Sequence, residues 1–155
     1  MQPRALDDSD RRILRAMQSH PDMSVADLSG IVGLSQTPCW RRIKRLEAEG
    51  VIARRAILFD PKKVGLPINV LAHVRLQRHD EETLEALERE TLEHPEILEC
   101  FSMSGESDYV MRVVAADMDA YERFLKKVLL HLPGIASVNS SFTLKTVKST
   151  PDLPL

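Results

Sequence analysis

The chain has 155 residues, 43% of them hydrophobic, and a formal net charge of −2 at pH 7. That length holds one ordinary domain or two small ones, and that apolar share suffices for a buried core. No apolar run is long enough to span a bilayer, and the opening MQPRALDDSD is acidic where a signal peptide is basic and then apolar, so a cytoplasmic protein with no membrane partner is expected.

Leu6, Ile13, Leu14 and Met17 recur at helical spacing and predict a first helix. Asp7 caps it, Asp10 stands in the capping-box position, and His20-Pro21 closes it. Ser24 caps a second helix, with Asp27 three residues on and Val25, Leu28, Ile31 and Val32 on its apolar side. Gly33 fits the left-handed position at its end. Ser35 caps a third helix whose first turn holds Pro38, where a missing N–H costs little. Cys39, Ile43 and Leu46 form its inward stripe. At ~100° per residue, Thr37, Arg41, Lys44 and Ala48 then point outward, with Trp40 and Arg45 on the flanks. Gly50 ends the helix.

Val51 to Phe59 reads as a strand, broken by Asp60-Pro61, and 62–67 as a short linker. Val70, Ala72, Val74 and Leu76 then alternate with polar residues, as in a half-buried strand. Residues 80–93 form a charged helix with Leu84, Leu87, Thr91 and Leu92 at helical spacing. Ile97 to Met103 and Tyr109 to Ala115 are strands around a GESD turn. Asp117 caps a helix bearing Met118, Tyr121, Phe124, Leu125, Val128 and Leu132, which Pro133-Gly134 stops. Residues 135–147 form the last strand, with Phe142 and Leu144 turned toward the helices. The order β-α-β-β-α-β is the ferredoxin-like arrangement, so an α+β chain is expected. Its domains would be residues 1–52, a helix-turn-helix; 53–67, a linker strand and hinge; and 68–155, the sheet domain. Such a sheet has helices on one face, and a second subunit is the simplest cover for the other.

The charge is unevenly spread. Residues 1–60 hold 10 Lys/Arg against 8 Asp/Glu, and residues 61–155 hold 11 against 15. The third helix carries Arg41, Arg42, Lys44 and Arg45, four cations in five positions. Two short helices joined by a tight turn, the second cationic, form a helix-turn-helix whose second helix enters a major groove of double-stranded DNA. Cations there neutralise phosphates and set position. Base reading falls to Gln36 with adenine, Arg41 or Lys44 with guanine, and the Thr37 methyl with thymine. Trp40 either packs on the first helix or the neighbouring wing, or touches DNA. Arg54 and Arg55 either grip backbone phosphate or stand exposed.

Enzymatic signals are missing. Cys39 and Cys100 have no metal-ligand spacing and read as small buried thiols. His20, His79, His94 and His131 sit at element ends without ligand spacing, and His73 points to the non-apolar side of its strand. No nucleophile–base set or phosphate-binding glycine loop can be assembled. No catalytic residue, metal or cofactor is expected.

The segments LSQTPCWRRIKRLEAEGVI, CFSMSGESDYVMRV and LLHLPGIASVNSSFTLKTVK, in that order, resemble the Lrp/AsnC (leucine-responsive, feast/famine) transcriptional regulators from about Leu6 to Lys148. The resemblance implies a winged helix-turn-helix followed by a ferredoxin-like sensing domain, a homodimer commonly assembled into an octamer, and a small effector, usually an amino acid. The helix-turn-helix reading puts the DNA contacts on Ser35, Gln36, Thr37, Trp40, Arg41, Arg42, Lys44 and Arg45. The resemblance places the effector, bound between dimers, beside Ser104, Gly105, Glu106, Ser107, Asp108 and Tyr109. By itself that loop reads as a polar hairpin turn. As a ligand loop it has chemistry to offer: Asp108 or Glu106 for an ammonium, Ser104, Ser107 and backbone N–H groups for a carboxylate, and Gly105 for close approach. Ser141 and Thr143, which share one face of the last strand, are weaker candidates for the far wall.

Overall fold

The structure is a computed structural model that describes residues 5–155, so the first four residues of the acidic opening segment lie outside it. The chain forms two compact units.

The first unit contains α1 (Asp8–Ser19), α2 (Val25–Val32) and α3 (Gln36–Ala48). The Asp7 carboxylate accepts the Asp10 backbone N–H at 2.8 Å, and the Asp10 carboxylate accepts that of Asp7 at 3.3 Å, a reciprocal capping box. Ser24 accepts the Asp27 N–H and starts α2. Gly33 ends it at φ 68°, a left-handed conformation that a Cβ would strain. Ser35 stands at the N-cap of α3 with extended backbone, but its hydroxyl makes no capping hydrogen bond. The core joins Ile13, Leu14, Ala16, Leu28, Val32, Cys39, Ile43 and Leu46.

The second unit runs β1 (Ile68–Leu76), α4 (Glu81–Leu92), β2 (Ile97–Ser102), β3 (Tyr109–Ala115), α5 (Met118–Lys127), a short 3₁₀ turn (Leu129–His131) and β4 (Ile135–Phe142). The strands lie in the order β2-β3-β1-β4, and each neighbouring pair is antiparallel. This is the expected α+β, ferredoxin-like arrangement. Val70, Ala72 and Val74 pair with Val113, Met111 and Tyr109, so one face of the sheet packs against the helices. Leu87, Tyr121, Phe124 and Leu129 complete that core. Gly134, at φ 72°, passes so close to Thr83 that an added Cβ would collide with its Cγ2. The opposite face presents Leu71, His73, Phe101, Val110 and Ser141, and among the described residues of this unit no helix packs on it.

Four expectations need correction. Val51–Phe59 forms no strand: it has no ladder partner among the described residues, and Ile57, Leu58 and Phe59 are exposed. Strand propensity cannot replace a missing row of backbone partners. The last strand stops at Phe142, near the start of its neighbour β1; Thr143 makes one further backbone bond to Asn69, and Leu144 is fully exposed. Leu92 stands in solvent because it lies one residue beyond the stripe of Leu84, Leu87 and Thr91. Finally, residues 148–155 group with the first unit and not with the sheet. Leu155 packs on the helical core, and Gln18 both donates to the Leu153 carbonyl and accepts its N–H.

Candidate nucleic-acid interface and effector loop

The periodicity of α3 sorts its cations into two groups. Cys39, Ile43 and Leu46 are buried, which turns Thr37, Arg41, Lys44 and Ala48 to solvent, together with Ser35 and Gln36. Arg41 has no ion-pair partner among the described residues. Among the described residues Lys44 pairs only with Glu47, one turn away at 2.7 Å, an exposed contact that gives little stability and yields readily to a phosphate. Trp40 is half-exposed and outside the core cluster.

Arg42 and Arg45 face α1 instead. The Arg42 guanidinium lies 2.7 Å from both the Asp7 and the Asp10 carboxylates. Arg45 reaches the other Asp10 oxygen at 2.6 Å, and its Nε is buried without a hydrogen-bond partner. The Asp10 side chain is only 2% exposed, against 29% for each arginine. A carboxylate so deeply buried is stable only when paired, and two charge-assisted contacts supply that pairing. Arg42 and Arg45, expected as DNA contacts, therefore tie α3 to α1. They still share a shallow surface concavity with Pro38 and Arg41. A second concavity, on α1, is lined by Asp8, Arg11, Arg12 and Arg15, a cationic set that sequence reasoning did not single out. Its signal was present in the i, i+4 spacing of Arg11 and Arg15. Arg55 lies 3.4 Å from Glu47 and Arg54 is exposed.

In the sheet unit, Ser104, Gly105 and Glu106 are exposed at the tip of the β2–β3 loop, with Ser107 half-buried. An added Cβ on Gly105 would meet no atom within 4 Å, so the tip is open. Asp108 is committed to holding the loop. Its Oδ2 accepts the Leu76 N–H at 2.7 Å, its Oδ1 lies 2.8 Å from His79 Nε2, and its own N–H donates to Val74. The Leu76 N–H first, and His79 second, hold its carboxyl below the usual carboxylate range. Glu106 is 96% exposed and 3.9 Å from Arg75. Tyr109 belongs to the opposite side: its ring is buried in the helix-facing core and its hydroxyl donates to Glu88 at 2.8 Å. Burial first, then Glu88, pushes its phenol up to about 12. It was expected at the effector loop, but strand alternation turns it inward.

Ser141 pairs with Leu71 on the helix-free face, and Thr143 follows beyond the strand end. Phe142 faces the helices, edge-on to Tyr121. Cys39 is fully buried, and burial pushes the partly buried Cys100 thiol up to about 11, out of the reactive range. Among the described residues no group of three or more His, Cys, Asp or Glu side chains could hold a metal ion, and no helix is long and apolar enough to cross a membrane.

A helix-turn-helix with an outward cationic face, on a chain whose other unit is a split βαβ sheet, defines a DNA-binding protein with an attached α+β domain. Residues 6–53 match the family model described as winged helix-turn-helix DNA-binding, and residues 69–153 match that of the Lrp/AsnC ligand binding domain. The chain belongs to the Lrp/AsnC family and is a DNA-binding transcriptional regulator. It is 38% identical over 150 residues to the DNA-binding transcriptional activator DecR of Escherichia coli (strain K12), covering 97% of this chain and 99% of that one. Among solved structures it is similar to an AsnC family transcriptional regulator from Agrobacterium tumefaciens, with 42% identity, a TM-score of 0.90, and 96% and 97% of the two chains covered. A transcriptional regulator of Neisseria meningitidis in complex with L-Met superposes with a TM-score of 0.90 at 35% identity, covering 97% of each chain.

Proposed function

We propose that this regulator reads DNA through Gln36, Thr37, Arg41 and Lys44 and that its binding responds to a free amino acid at the β2–β3 loop. The outward set of α3 carries the first half of this reading. It combines donors matched to base edges with cations free to meet phosphate, on one continuous helix face. Ser35 and Trp40 border that face and add backbone and stacking contacts. The protein acts in the cytoplasm as a regulator and not as a catalyst, and residues 53–67 connect the reading and sensing parts.

The second half is supported by the L-Met complex of the Neisseria meningitidis relative and by the open polar loop tip. An amino acid presents an ammonium and a carboxylate. Glu106 meets the first, and the Ser104 and Ser107 hydroxyls and backbone N–H groups meet the second, with Ser141 and Thr143 toward the far wall. Asp108 keeps the loop in shape through Leu76 and His79. A second copy of the chain covers the helix-free sheet face, where Leu71 is 38% and Phe101 53% exposed. Dimers would then set two recognition helices a whole number of DNA turns apart, and further assembly would produce octamers. The effector biases DNA binding through its different affinities for the free and the bound assembly.

Arg41→Ala is expected to weaken binding by about 1–3 kcal/mol and to relax sequence choice. An electrophoretic or anisotropy titration on specific and random duplexes checks it, and unchanged affinity for both removes Arg41 from the interface. Thermal-shift screening against the twenty amino acids is expected to find at least one that raises the melting temperature, with Glu106→Gln reducing that rise. No shift at saturating concentration of any of them would instead favour a DNA-compacting protein that ignores small molecules.

A further inference from the structure

The two aspartates of the α1 capping box do more than start a helix. Asp10 is the only charged residue among the described ones that is almost fully buried, and it takes two of the four cations that the recognition helix carries. Those arginines line the same surface concavity as Arg41, so phosphate seated there would lie near all three. Their free donors decide how much non-specific affinity the helix has, because every cation that meets a phosphate releases condensed counterions regardless of sequence. At a specific site Gln36, Thr37, Arg41 and Lys44 read base edges, which is a separate contribution; on random sequence Arg41 and Lys44 are left to meet phosphate.

We propose that Asp10 is a specificity-determining residue: by holding Arg42 and Arg45 against α1 it keeps two guanidiniums off the DNA backbone, lowering binding to random sequence while leaving the base-reading face intact. Asp7 assists from the rim, since it touches only Arg42 and is half-exposed. The arrangement is matched in charge and geometry. Asp10 presents one oxygen to each arginine, and the capping hydrogen bonds of Asp7 and Asp10 hold that carboxylate in place. Asp10 acts through the two arginines and touches no DNA, so it is a positioning residue. This rests on the reading of α3 as the recognition helix, and the test separates the two.

The measurement is the salt dependence of binding to a random-sequence duplex by the full-length protein. Wild type gives the reference slope of log K against log salt. Arg41→Gln is expected to make the slope shallower by about 0.9, the value of one phosphate contact. Arg42→Gln and Arg45→Gln are expected to leave it unchanged. Asp10→Asn, which keeps the shape and removes the charge, is expected to steepen it by up to about 1.8 and to narrow the ratio between specific and random affinity. Damage to folding alone would not steepen a salt slope. Should Asp10→Asn fail to fold, Arg42→Gln carries the test, because Asp10 keeps Arg45 in that variant. A slope that falls in Arg42→Gln as it does in Arg41→Gln, or one that does not steepen in folded Asp10→Asn, overturns the proposal while leaving the recognition helix standing. An unchanged slope in Arg41→Gln overturns both.

Discussion

The helix-turn-helix unit and the sheet unit each position a functional segment with one aspartate, in opposite surroundings. Asp10 is sealed under α3 with its side chain 2% exposed, and it answers to two arginines. Asp108 is 29% exposed and answers to one backbone N–H and one histidine. Water can substitute for the partners of Asp108 and cannot reach the Asp10 carboxylate itself. The difference teaches that a carboxylate in a functional stretch is read by its burial before its charge. The buried one fixes the orientation of an element, and the half-exposed one fixes the shape of a loop.

Three substitutions would break or sharpen this contrast. Asp10→Ala leaves Arg45 with only the longer Glu49 contact, at 3.8 Å, and is expected to cost about 3 kcal/mol, the low end for a broken buried pair because both guanidiniums still reach solvent. Urea unfolding monitored by circular dichroism checks it, and a loss below that of the Asp108 variant would reverse the ranking. Asp108→Ala is expected to cost about 1 kcal/mol, because water re-solvates part of what is lost. Folding depresses the Asp108 carboxyl, so its contribution is complete above the ordinary value near 3.8 and is lost as pH falls through the lower folded value. Acid unfolding of the wild type below about pH 4 should therefore be less steep in this variant. An identical acid limb in the two proteins would detach Asp108 from the acid response.

The smallest effect belongs to Tyr109→Phe, at most about 1 kcal/mol for one hydroxyl bond to a carboxylate that solvent can serve instead. The raised phenol stabilises the fold fully below its ordinary value of 10.0, and this is lost as pH rises toward about 12. The phenylalanine variant should show a flatter alkaline limb and an unaltered amino-acid response. A changed response would put the Tyr109 side chain back at the effector loop.

Much of the molecule was legible in the linear chain. The stripes Cys39–Ile43–Leu46 and Val70–Ala72–Val74, the caps at Asp7, Ser24 and Asp117, and the left-handed Gly33 all rest on local rules of spacing and sterics. The outward placement of Thr37, Arg41 and Lys44 followed from the same periodicity. Two things were not legible: the division of four adjacent cations into two exposed and two engaged, and the commitment of Asp108 to Leu76 and His79. The extended Val51–Phe59 segment shows the same limit, for its apolar residues favour a strand while pairing depends on a neighbour.

What the sequence by itself determined is therefore the helices and the four strands that pair in the sheet, most of their faces, and the regulator family to which they belong. Those follow from interactions within a few residues and from repeating apolar positions. Only the tertiary structure decided which charges are available. Asp10 meets Arg42 and Arg45 across 32 and 35 residues of chain, and Asp108 meets Leu76 across 32. Such pairings depend on how α1 crosses α3 and how β1 ends beside β3, and burial there turns a nominal surface charge into a structural one.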